Sequence, residues 1–141
     1  MAECLAAEVE AEMIAPLRAS HMRADPLVDL AARLEPDGGM PGDTPDFRLL
    51  ATVLALLAFG AAGHWASSGP FRVHLRRMLD FVDRFPVADL PNEQRTGLEK
   101  GLDAVRHERV IAGPWMDVLR DVLRKPDRHA RKAWETLIAA F

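Results

Sequence analysis

Three residues of this chain have the side-chain chemistry to share a small polar site: His64, His107 and Glu108. Each histidine lies in the turn that follows a helical stretch, and imidazole nitrogen and carboxylate oxygen are both competent metal ligands. If the two stretches are related by an approximate two-fold axis, the turns face each other, with Trp65 beside His64 as an apolar wall. His64, Trp65, His107 and Glu108 are therefore the candidate residues for a metal or small-ligand site, with the identity of any metal unknown. No two histidines have the i, i+4 spacing that puts paired ligands on one helical face, so this is a constellation and not a motif.

Nucleophilic catalysis has less to work with. Cys4 lies in the acidic stretch "MAECLAAEVEAEM", where neighbouring carboxylates raise a thiol pKa and suppress the thiolate. Ser67 and Ser68 stand just before a helix start, a position whose ordinary work is capping. There is no tyrosine, no glycine-rich phosphate loop and no dinucleotide fingerprint. No catalytic residue and no cofactor are assigned, and the reading leans away from an enzyme. His74, at the edge of an apolar helical arc, reads as a boundary residue with one buried edge.

The other chemical feature is cationic. "RKPDRHARK" places Arg124, Lys125, Arg128, Arg131 and Lys132 against the single Asp127, a local charge of +4. Such a face suits phosphates, but Arg124 and Lys125 also belong where a helix C-terminus favours cations, and no aromatic or glycine is interleaved. The chain as a whole carries −3, which disfavours nucleic acid as the partner. The charge is unevenly spread: residues 1–66 hold 4 Arg against 10 Asp and Glu, and residues 67–141 hold 14 Lys and Arg against 11. The halves attract, as an acidic N-terminal arm lying on a more basic body would, in the same molecule or a neighbouring one.

Positioning these residues falls to helices. With 141 residues, 49% hydrophobic and 28% charged, the chain is expected to form a single domain, 1–141. Every strong periodicity is helical, so the fold class is all-α, a compact bundle of six or seven helices. An acidic helical arm covers 1–34, interrupted at Pro16, and Asp25 and Pro26 start its last short helix. Residues 35–46, "EPDGGMPGDTPD", form a glycine- and proline-rich loop and a candidate hinge, leaving 47–141 as the helical core. Thr44 and Pro45 open a helix over about 45–62 that is apolar on nearly all sides from Leu49 to Phe59. Such a helix belongs at the centre, with others around it. Its apolar run, Leu49 to Ala62, is 14 residues, short of the about 20 that cross a membrane. Further helices are expected to start at Pro70, Pro91 and Pro114, with a last one capped by Asp127, and Pro86 and Pro126 close two of them. Gly97 and Gly101, four apart in the helix from Pro91, mark a close approach of another backbone.

The stretch "SSGPFRVHLRRML" (67–79) returns as "IAGPWMDVLRDVL" (111–123) at an offset of 44 residues. The same offset carries Leu54 onto Leu98 and Ala58 onto Leu102, so two related helical hairpins are possible. The lone cysteine and the absence of a signal-like start point to the cytoplasm. The expected function is protein–protein interaction, including self-association as a homodimer, with no membrane partner. Trp65, Trp115 and Trp134 lie near helix ends, where amphipathic rings reach partners. Ligand binding at His64, His107 and Glu108, or nucleic-acid binding by the basic face, are the alternatives.

Overall fold

The computed structural model describes residues 26–85, 87–109 and 111–141. The arm helix expected over 2–22, its interruption at Pro16, Cys4, the cap Asp25 and Pro86 lie outside these residues. The chain divides into two units, 1–32 and 33–141. In the first, the described residues form α1 (Pro26–Ala32), with Leu27 and Leu30 buried. All remaining described elements belong to the second unit, and the described residues contain helices and turns but no strand.

The second unit is built on α2 (Pro45–Ala61). Thr44 caps it, its hydroxyl accepting the Phe47 N–H at 3.1 Å, and Pro45 fills a first-turn position that needs no donor. Every residue from Leu49 to Gly60 is buried. Because α2 is apolar on all sides, it must be covered on all sides: α3 (Arg72–Asp83), α4 (Asn92–Arg106), α5 (Trp115–Arg124) and α6 (Pro126–Ala140) each pack against it. The all-α bundle with a central hydrophobic helix is thus the architecture observed. A short 3₁₀ turn, Val87–Asp89, leads into α4.

The glycines of α4 do what their spacing suggests. A Cβ on Gly97 would stand 3.2 Å from the Ile138 Cα of α6, and one on Gly101 would stand 3.4 Å from the Phe141 ring. Phe141 in turn stacks on the fully buried Trp115, with centroids 6.0 Å apart and planes 13° from parallel. The end of α6 is therefore docked on α4 and α5.

The 44-residue echo is repeated in helix order and not in packing. α3 lies on α2, as the first hairpin requires, but the principal neighbours of α4 are α6 and α2, and those of α5 are α2 and α6. α6 comes between what would have been hairpin partners. The helix starts also move inward: Pro70 and Phe71 sit in a turn before α3, and α5 begins at Trp115. Pro126, expected to close a helix, opens α6 with Lys125 at the cap, so Asp127 lies inside the first turn.

Candidate functional site

The ends of α2 and α4 set the two candidate histidines at different positions of the same kind of turn. Both helices finish in the same six-residue hydrogen-bond pattern, in which the residue after the cap turns left-handed. After α2 that residue is Gly63 (φ +85°), its N–H donating to the Gly60 carbonyl and the His64 N–H to that of Phe59. After α4 it is Glu108 (φ +55°), with Glu108 N–H on the Val105 carbonyl and Arg109 N–H on that of Ala104. His64 thus corresponds to Arg109, while His107 is the cap itself, two positions earlier in the turn.

Each has local company instead. His64, half-buried, lies edge-on to Phe71 with centroids 4.9 Å apart. Trp65 covers Gly60, where a Cβ would come within 3.1 Å of the indole. His107 is exposed and donates through Nδ1 to the Asp103 carbonyl at 2.8 Å. The Asp103 carboxylate also accepts from Arg109 at 2.7 Å, and this bond, with His107 adding to it, holds the carboxyl below its ordinary value. Among the described residues no group of three or more His, Cys, Asp or Glu is placed to hold a metal ion. His74 is half-buried; its Nδ1 has no hydrogen-bond partner, and burial, reinforced by the Arg77 charge, lowers its pKa.

The basic residues lie on the last turn of α5 and the first two turns of α6. Arg124 pairs with Asp121 at 3.1 Å and Arg131 with Glu135 at 3.5 Å. Lys125, Arg128 and Lys132 are exposed and have no ion-pair partner among the described residues. Beside them opens a groove of about 580 Å³, between the segment 41–47 and the α5–α6 junction. Pro41, Phe47, Leu123 and Ala130 give it an apolar floor, and Arg33, Asp43, Asp127 and Arg131 charge its rim. Gly42 makes room for this floor, since a Cβ there would fall 2.3 Å from the Phe47 ring. Sequence reading found the cations and missed the floor, whose two halves lie some eighty residues apart in the chain.

One wall of the groove is held from behind. Arg48, one helical turn into α2, donates to both oxygens of Asp37 (3.0 and 2.7 Å) and to the Met40 carbonyl (2.9 Å), and its guanidinium lies 4.9 Å from the centre of the Phe81 ring. Arg84 donates to the Asp37 carbonyl at 2.7 Å, and Arg77 to those of Glu35 and Pro36. The Thr52 hydroxyl donates to the Arg48 carbonyl at 2.7 Å and accepts the Met40 N–H at 2.9 Å. Met40 is completely buried. The first half of the expected hinge is thus a strap, fastened to α2 and α3 by side chains remote in sequence. Asp37 shows the tension of that fastening: the Arg48 bonds, then the Gly39 N–H, bring its carboxyl from 3.8 down to about 2.

A second groove, about 620 Å³, lies along the end of α4 beside Phe141. Of its charges, Asp103 pairs with Arg109 and Lys100 donates to the Phe141 carbonyl at 3.3 Å, while Glu99 has no ion-pair partner among the described residues. The α5–α6 groove keeps Arg33, Asp43 and Asp127 without ion-pair partners among the described residues, and its lining pairs no nucleophile with a base. Comparison with protein-family models, curated proteins and solved structures finds no match for this chain.

Proposed function

We propose that this protein is a small cytoplasmic interaction module that binds a protein segment in the groove between residues 41–47 and the α5–α6 junction. The supporting observation is the combination of an apolar floor with a charged rim on which Arg33, Asp43 and Asp127 have no ion-pair partner among the described residues. Hot spots of this kind take one or two apolar anchors and set orientation by the rim. The rest of the described surface is poor in alternatives. Among the described residues, Val73, 54% exposed, is the one large hydrophobic side chain left open to solvent. A broad, flat dimer interface of the obligate kind needs a wide apolar face, so an anchor-in-groove contact fits this surface better.

The test is selection of helical peptides from a random phage-displayed library against the full-length protein. Ala130 is half-buried in the groove floor, and Ala130→Arg fills it from the exposed side of α6. Selected peptides should compete with one another and lose binding at least tenfold to the Ala130→Arg protein. Peptides that bind both proteins equally, or a selection that yields none, would sink this reading.

A further inference from the structure

The groove's charge names its occupant. Around it, Arg33 and Arg131 on the rim and Lys125, Arg128 and Lys132 beside it outnumber Asp43, Asp127 and the Glu135 that pairs with Arg131. The segment that fits must carry anchors for Phe47 and Leu123 and carboxylates for the surrounding cations. The chain contains one such segment: within residues 1–25, Leu5, Val9 and Met13 recur every four residues and Glu3, Glu8, Glu10 and Glu12 stand among them, with the first cation at Arg18. In a helix such a period of four would place the three apolar residues on one face, with Glu8 and Glu12 together beside it.

We infer that the acidic N-terminal segment of a second copy, through Leu5, Val9 and Met13, occupies the α5–α6 groove, and that Glu8 and Glu12 of that copy face Arg128 and Arg131. The inference rests on the groove being a protein-binding surface and adds what fills it. Reciprocal exchange of two such segments gives a closed dimer in which each contact occurs twice. Charged pairs at the rim govern partner choice and salt dependence, so dimerisation should weaken as salt rises.

A charge-swap experiment on the full-length protein decides it. Arg131 is 92% exposed and Arg128 is exposed, so Arg128→Glu with Arg131→Glu leaves the core untouched; the complementary protein carries Glu8→Lys and Glu12→Lys. Sedimentation velocity at low salt should show a wild-type dimer and, for each swapped protein alone, association weakened by the reversed charges to an at least tenfold higher Kd. Mixing the two should restore a dimer of one copy of each. Three results overturn the inference: a wild-type monomer up to about 100 µM, no recovery on mixing, or full-strength dimers from both swapped proteins. A monomer whose Arg128→Glu/Arg131→Glu form loses retention on a DNA column would overturn it in favour of a polyanion. In any of these cases, library peptides that still depend on Ala130 would leave the binding groove standing and remove only this occupant.

Discussion

Glu108 and His74 are residues whose native environments conflict with their chemistry, as is Trp115, whose buried indole N–H has no hydrogen-bond partner. Glu108 holds a left-handed backbone (φ +55°) at the place where Gly63 ends α2. The Cβ makes that conformation cost about 1–2 kcal/mol, so Glu108→Gly should stabilise the protein by about 1 kcal/mol, read from urea denaturation. A drop in stability would mean that the Glu108 side chain contributes something its exposed position does not reveal. His74 keeps an unpartnered Nδ1, and burial favours its neutral form. Its folded pKa lies below the ordinary 6.5, so the stability it permits is complete above that value and declines as the pH falls below it. His74→Leu should therefore be at least as stable at pH 8 and should flatten the fall in Tm between pH 7 and 5. In the 44-residue echo Val118 stands where His74 does, as a position decided by packing allows.

At the scale of elements, the strap from Glu35 to Met40 is the part that the sequence concealed. Glycine, proline and aspartate gave it the composition of a hinge, and a composition says nothing about partners 11 to 47 residues away. Arg48, a charged residue beside the apolar run of α2, is in the fold the fastening. The pH dependence of that fastening follows from Asp37. Its folded pKa is depressed, so the stabilisation is whole above the ordinary value of 3.8 and is lost as the pH falls towards about 2. Thermal melts from pH 5 to 2 should fall more steeply for the wild type than for Asp37→Asn, which has no charge to lose. Equal slopes would show that the carboxylate is not what holds the strap. The helix ends, by contrast, were partly readable: Thr44 with Pro45 marked the start of α2 correctly, whereas the Gly-Pro pairs preceded α3 and α5 by a turn or a residue. The two candidate histidines differ in register. An offset that aligns sequences placed His64 near His107, but the hydrogen-bonded turn aligns Gly63 with Glu108.

For the molecule as a whole, α2 determines nearly everything. Its place was legible because a helix without a polar face has only one place to go, and Gly97 and Gly101 correctly announced the close passage of α6. The groove was not, because its floor exists only after the 41–47 segment and α5–α6 have met. Leu57 is wholly buried near the middle of α2, so Leu57→Ala should cost about 2–5 kcal/mol, whereas Val73→Ser on the open surface should cost within about 0.5 kcal/mol. Chemical denaturation of both proteins checks the pair, and similar losses would contradict a core centred on α2.

The order of the helices along the chain gives α2 a hazardous youth. Its coverings α5 and α6 are synthesised last, and at usual translation speeds roughly 4–16 s separate the emergence of Ala61 from that of Ala140. During that interval twelve consecutive core residues, Leu49 to Gly60, lack the surfaces that will bury them. A ribosome stalled before Trp115 would release a sticky fragment, and a chaperone that recognises greasy nascent helices would find its substrate there.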